Sequence, residues 1–186
     1  MNQSVFSIQH EQWVLDRFWE LHNKYADVRI TSITKENFPD FYDLGYALLS
    51  VLPEALAIFR RQDKHFDEQS TFHILIVEKL IEQCMRWDRW ELTDEVMEFV
   101  KNHNLLSLSW IAEMQSEISE KHDAVDTIVS YLKKRGEPCN KNSVLKENPD
   151  IYRNHANWAL RFYKGIKAEK RGSVSYVSCD EVFFGG

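Results

Sequence analysis

The chain has 186 residues and a mass of 22.1 kDa, with 44% apolar residues, 28% charged residues, 6 Gly and 4 Pro. This composition is that of a globular protein and excludes collagen-like, low-complexity and disordered chains. The formal net charge of −6 also argues against a protein that binds nucleic acid through its whole surface.

Three features predict an intracellular protein without a membrane span. Residues 1–13 lack the basic start and apolar core of a signal peptide, and the most apolar stretch, residues 46–59, is interrupted by Pro53 and Glu54. The three cysteines are widely spaced and form no C-x-x-C pair, which argues against a disulfide framework or a zinc site. No strong catalytic motif is present, so we expect a cytoplasmic, non-enzymatic protein that uses no cofactor and no metal.

Helical periodicity in the first two thirds predicts an acidic bundle of about six helices, residues 1–121. Val14, Phe18 and Leu21 recur at helical spacing and predict a first helix over residues 8–26. The remaining pattern predicts an extended connection over 28–37 and five more helices, over 41–52, 54–61, 71–84, 88–104 and from Ser107 or Ser109 onward.

Two helix boundaries carry specific signals. Asp88, with Glu91 three residues later, has the form of a capping box and predicts a helix that begins there. Three basic residues followed by Gly136 predict a helix end, because cations favour the last turn and glycine adopts the left-handed cap. We expect a separate helix over residues 122–135 to end at this signal.

The paired helices, most visibly those over residues 70–103, resemble the helical hairpins of tetratricopeptide and pentatricopeptide repeat proteins. Leu44-Gly45 and Ala55 with Phe59 are similar to the repeat consensus. No second copy follows at a fixed period, so the sequence predicts a repeat-like bundle rather than a repeat array.

The last third, residues 122–186, predicts a small α+β domain with one β-hairpin. After the helix that ends at Gly136 come a turn at 137–140, a short helix over 142–148 and a longer helix over 151–164. Alternating residues then predict a β-hairpin within residues 165–178, with a basic turn. The longer helix has two faces: Ile151, His155, Trp158, Ala159 and Phe162 on one, and Arg153, Asn157, Arg161 and Lys164 on the other.

This order of a helix, a short helix, a second helix and a hairpin resembles the winged helix-turn-helix domain. The resemblance implies that the second helix enters the major groove of double-stranded DNA, and it predicts a transcriptional regulator. Arginine and asparagine side chains can read guanine and adenine edges, and lysines contact phosphates. The base-reading side chains would be Arg153, Asn154, Asn157 and Arg161, and the phosphate contacts would come from Lys164, Lys167, Lys170, Arg171 and Ser143.

The charge distribution agrees with this division. Residues 1–131 contain 12 basic and 23 acidic residues, a net charge of −11, whereas residues 132–186 contain 11 basic and 6 acidic residues, a net charge of +5. An acidic module joined to a basic one is typical of a partner-binding part linked to a part that faces nucleic acid. The acidic bundle would then serve dimerisation or a protein partner.

A second interpretation stays open, because winged helices also dock proteins, as in the helical subunits of proteasome-lid-like assemblies. The chain would then be an acidic interaction protein, such as a toxin-neutralising immunity protein or an assembly subunit, that meets a basic partner. Glu169, Asp180 and Glu181 near the hairpin weaken its basic surface and argue against insertion of the hairpin into the minor groove.

Overall fold

The computed structural model describes residues 5–25, 38–52, 55–56, 71–103 and 106–180. Over these residues the protein is mainly helical, with one small antiparallel sheet near the C-terminus, which confirms the predicted fold class. None of the described helices is long and apolar enough to cross a lipid bilayer. The elements in chain order are α1 (Val5–Tyr25), α2 (Phe38–Ser50), α3 (Thr71–Arg86), α4 (Trp90–Asn102), α5 (Leu108–Arg135), β1 (Cys139–Asn140), α6 (Lys141–Glu147), α7 (Arg153–Phe162), β2 (Ile166–Arg171) and β3 (Val174–Cys179).

The chain divides into two compact units. The first unit comprises Met1–Cys84 and Glu91–Ile111, and the second comprises Met85–Trp90 and Ala112–Gly186. The predicted boundary between residues 121 and 122 stays a prediction. The connection predicted over 28–37 and most of the helix predicted over 54–61 lie outside the described residues.

In the first unit, α1 packs through the apolar face that its spacing predicts. Val14, Phe18 and Leu21 are each at most 1% exposed. On the polar side of α1, Arg17 Nη2 and Lys24 Nζ lie 3.0 and 2.7 Å from the two carboxylate oxygens of Asp40 on α2. These ion pairs join α1 to the first turn of α2.

Gly45 marks a close approach within the first unit. A Cβ atom at this position would lie 2.9 Å from the backbone carbon and oxygen of Lys79 on α3. Only glycine leaves room for two helices to come this near, because the clashing atoms belong to a helix backbone that cannot rotate away.

The second unit is built around one apolar core. Four residues of α5 face one residue of α6, three residues of α7 and two residues of the sheet, with a tyrosine that directly follows α7. These buried residues are Val125, Ile128, Val129, Leu132, Val144, Ala156, Ala159, Leu160, Tyr163, Ile166 and Val177.

Three predicted elements need correction. The helices expected before and after residue 122 are one helix of 28 residues, α5, because its sequence contains no glycine or proline to interrupt it. Side-chain contacts at i, i+4 spacing also lie on both sides of the expected break: an ion pair from Glu117 to Lys121, and a 3.5 Å contact from Nδ1 of His122 to Oδ2 of Asp126. The capping box is wrong as well: α4 begins at Trp90, and Asp88 adopts a left-handed backbone with φ 58° two residues earlier.

The third correction concerns residues 137–140, which contain a strand as well as a turn. Cys139 and Asn140 pair with Val177 and Tyr176, so the sheet has the order β1-β3-β2. The hairpin forms as expected, but its turn is not basic: Arg171 pairs with Val174 across the turn Gly172-Ser173, and Lys170 and Arg171 lie within β2. Gly172 in this turn has φ 64°, which favours glycine.

Candidate nucleic-acid interface

The helix α7 separates a buried face from a charged, exposed one. Ala156, Ala159 and Leu160 are at most 3% exposed and belong to the core. Arg153 in the first turn and Arg161 in the last turn are both exposed. Residues eight apart on a helix are separated by about 12 Å along its axis and about 80° around it, so the two arginines lie on adjoining parts of the exposed side.

The two asparagines predicted as base readers differ in accessibility. Asn154 is exposed, and its side-chain amide donates a hydrogen bond of 3.1 Å to the hydroxyl of Tyr152, which precedes the helix. Asn157 is half-buried. Asn154 therefore has an exposed side chain held by one local hydrogen bond, whereas Asn157 is less accessible.

Asparagine side chains cap both ends of α6, the short helix before α7. The side-chain amide of Asn148 donates 2.8 Å to the carbonyl of Val144 and so satisfies the last turn of α6. At the start of α6, the Asn140 carboxamide accepts from the backbone N–H of Asn142 at 2.8 Å, an N-cap. Ser143 lies in this first turn and is half-buried, so it is placed as the sequence predicts but only partly exposed.

His155 is the residue in α7 whose role the sequence does not predict. It lies on the inner face of α7, as expected, and is only 6% exposed. Its two ring nitrogens face two carboxylates of α5. Nε2 lies 3.3 Å from Glu117 and Nδ1 lies 3.4 Å from Glu120. The contact from Nε2 to Glu117 has hydrogen-bond geometry, and the two carboxylates place α7 against α5 at this ring.

Glu117 also contacts Lys121, with 2.8 Å between Nζ and Oε1. Burial acts to raise the pKa of Glu117, but Lys121 and His155 outweigh it and hold the pKa below its usual range. The carboxylates of Glu117 and Glu120 lie at different ring nitrogens and do not converge on one point. Within the described ranges, no three potential ligand side chains are grouped to hold a metal ion.

The cations that follow α7 begin with Lys164, which is exposed and held in place. Its backbone N–H donates 2.9 Å to the carbonyl of Arg86, and its ammonium lies 5.3 Å from the ring centroid of Trp87. Arg161, one turn earlier, has its guanidinium 4.9 Å from the ring centroid of Phe162. Both cations keep contact with an aromatic face at the surface.

The hairpin does not bring all of its cations to one side. Because side chains alternate along a strand, Lys167 and Arg171 lie on one face of β2 and Lys170 lies on the other. Lys170 shares its face with the buried Ile166 and pairs with Ser175, although its own side chain is exposed. The predicted row of hairpin cations is therefore split.

Arg171 is also partly neutralised. Its Nη2 lies 3.0 Å from Oε2 of Glu169, and its guanidinium lies 5.0 Å from the ring centroid of Tyr176. The Arg171 guanidinium keeps the pKa of Glu169 below its usual range, so the carboxylate stays charged at neutral pH. Lys167 and Lys170 form no ion pair in the part of the chain that the structure describes.

Asp180, another acidic residue near the hairpin, lies away from the hairpin tip. The backbone N–H of Asp180 donates 3.0 Å to the carbonyl of Gly165, which places Asp180 at the base of the hairpin, after β3. Glu181 lies outside the described residues. Cys179, at the end of β3, is half-buried; its thiol donates to the Val129 carbonyl at 3.5 Å, and burial raises its pKa.

Comparison of this chain with protein-family models, with curated proteins and with solved structures finds no match.

Proposed function

We propose that the second unit is a winged helix-turn-helix domain that binds double-stranded DNA with α7 in the major groove. The observation that supports this most is the order of the elements: α5, α6, α7 and the hairpin follow one another as the resemblance implies. The strand β1 adds a pairing to β3 that anchors the hairpin, whose free end is the turn after Arg171.

The exposed face of α7 has the chemistry that base reading requires. Arg153 and Arg161 present five N–H donors each, and a guanidinium can bond both acceptors on the edge of a guanine. Asn154 can pair with adenine if it releases the hydroxyl of Tyr152. The opposite face is fixed by the core and by His155, so the readers are held on a rigid element.

The remaining cations suit the phosphate backbone. Lys164 extends the basic face beyond the end of α7, and Lys167 and Arg171 share one face of the hairpin. Contacts of this kind set the register of a protein on DNA and release counterions, so they make the affinity depend on salt. Lys170 and Ser143 contribute less in this arrangement, since one lies on the opposite face of β2 and the other is half-buried.

The proposal is tested by fluorescence anisotropy of a labelled duplex of random sequence with the full chain. Arg153→Ala and Arg161→Ala, singly and together, should weaken binding at low salt. Lys101→Ala is the matched control, because it removes one exposed cation from α4 in the first unit. Equal losses in the control and the α7 variants would show that only general charge matters and would contradict a reading helix.

The charge of the hairpin supports a second candidate, a protein-docking module with an acidic helical part. The ion pair between Glu169 and Arg171 removes net charge from the surface that would otherwise face DNA. A basic protein partner of the acidic first unit is the corresponding expectation. Failure of the full chain to bind the duplex, together with retention on a column of a basic protein such as a histone, would favour this candidate.

A further inference from the structure

A cavity of about 460 Å³ lies in the second unit at the junction of α6 and α7. This volume falls within the range of small-molecule sites. Part of its lining is apolar, from Leu145, Pro149 and Ile151. Leu145 and Ile151 also pack against the hydrophobic core, so this wall is held in place from behind.

Two cations border the apolar wall. Lys146 and Arg153 line the cavity and are exposed, and neither forms an ion pair within the described part of the chain. The carboxylate beside them in sequence, Glu147, is bound by Arg135, whose Nη2 lies 2.9 and 2.7 Å from its two oxygens. Asp150 is exposed and does not line the cavity.

Two amide side chains border the cavity. Asn148 donates one of its two amide hydrogens to the Val144 carbonyl, which leaves one N–H and the oxygen for a ligand. The side chain of Asn142 has no hydrogen-bond partner in the described residues; only its backbone N–H is bonded. Lys146, Arg153 and Asn142 together therefore offer hydrogen-bond donors, most of them charged, beside an apolar wall.

We propose that this cavity binds a small organic monoanion, a carboxylate carried on an apolar ring. The ring would pack on Leu145 and Ile151, and the carboxylate would lie between Lys146 and Arg153. A carboxylate offers about four acceptor positions, and its hydrogen bonds to cations are stronger than those between neutral groups. The site uses Arg153, as the proposed DNA interface does, but it does not require that the protein bind DNA.

The test is an NMR titration of the full chain, labelled with ¹⁵N, in the absence of DNA. The probe is 1-naphthoate; its neutral isostere 1-naphthamide tests the need for charge, and inorganic phosphate tests the need for the ring. We expect 1-naphthoate to shift amide resonances within residues 142–153 and to bind about tenfold or more tightly than either comparator.

The variant Lys146→Gln/Arg153→Gln should weaken 1-naphthoate binding by about tenfold or more and leave 1-naphthamide binding unchanged. Both positions are exposed, so the fold should persist, and the unperturbed core resonances verify this. Lys134→Gln, which removes an exposed cation of α5 outside the cavity, is the control. Equal binding of the amide or of phosphate, shifts elsewhere in the protein, or an unaffected double variant would each overturn the proposal. Since no DNA is present, these outcomes are independent of the proposed function.

Discussion

The hydroxyl of Tyr163 donates a hydrogen bond of 2.7 Å to Oδ1 of Asp88, a residue 75 positions earlier in the chain. The indole N–H of Trp90 donates to the same oxygen at 2.8 Å. Asp88 adopts a left-handed backbone, and Tyr163 is 3% exposed at the end of α7. One carboxylate therefore ties the segment before α4 to the residue that ends the proposed reading helix.

Replacing Asp88 should destabilise the second unit. Asp88→Ala removes the acceptor of two hydrogen bonds and puts alanine at φ 58°, so we expect a loss of about 2 to 3 kcal/mol in unfolding free energy. Asp88→Asn keeps an acceptor oxygen and tolerates this backbone, so its loss should be smaller by at least about 1 kcal/mol. Urea denaturation measures both, and equal losses would show that the contact to Tyr163 stabilises nothing.

Tyr163 predicts how stability depends on alkaline pH. Burial, and then the hydrogen bond to Asp88 and its charge, raise the pKa of this phenol well above its usual value of 10.0. In the unfolded chain the phenol ionises near that value, so above about pH 10 the unfolded state binds fewer protons than the native state. Stability should then fall by up to about 1.4 kcal/mol per pH unit.

Tyr163→Phe isolates this contribution, because phenylalanine has no proton to lose. The variant should be less stable than the wild type near pH 8 by about 1 kcal/mol, and the difference should shrink and reverse as the pH rises above 10. Urea midpoints between pH 8 and 11 give the comparison. Parallel pH profiles for the two proteins would contradict a raised pKa.

The lowered pKa of Glu117 predicts that stability also decreases at acid pH. Its pKa is held below the usual value of 4.5 by Lys121 and His155, so its contribution to stability is present above that pH and lost as the pH falls below it. Glu117→Gln should destabilise the protein at pH 7 by less than about 1 kcal/mol, since the side chain is partly exposed, and the difference should shrink as the pH falls below the usual pKa of 4.5. Glu113→Gln, an exposed change on the same helix, should show no such pH dependence.

Gly45 tests the packing of the first unit. Gly45→Ala would normally favour a helix, by about 1 kcal/mol, but here its methyl group would lie 2.9 Å from the Lys79 backbone. We expect a net loss of about 1 to 3 kcal/mol in unfolding free energy and a larger loss for Gly45→Val. A stabilised Gly45→Ala protein in thermal unfolding would show that the two helices are not in contact at this point.

The sequence predicted those features of the fold that depend on residues close together in the chain. The apolar spacing of Val14, Phe18 and Leu21, the helix end at Gly136 and the hairpin turn at Gly172 each depend on residues adjacent in sequence. The one continuous helix α5 could have been found by the absence of glycine and proline between its ends.

Contacts between residues far apart in the chain could not be predicted from local sequence patterns. The strand β1 has two residues and exists because Val177 and Tyr176, nearly forty positions away, pair with it. The carboxylates that face His155 belong to another helix. Asp88, where a capping box was expected, has a left-handed backbone and accepts a hydrogen bond from the distant Tyr163. That Lys170 lies on the opposite face of β2 from Lys167 and Arg171 follows from the alternation of side chains along a strand, once the extent of β2 is known.

The central claim is that α7 and the hairpin bind duplex DNA, and the salt dependence of binding by the full chain tests it most directly. We predict that log Kobs falls linearly with log salt concentration above about 50 mM, with a slope of about −3 to −5 for a handful of phosphate contacts. Lys164→Ala/Lys167→Ala should flatten this slope by about 1 to 2, because these side chains are the proposed phosphate contacts, while Lys101→Ala leaves it unchanged. No binding at about 50 mM salt, or a slope that the Lys164→Ala/Lys167→Ala variant does not change, would contradict the account.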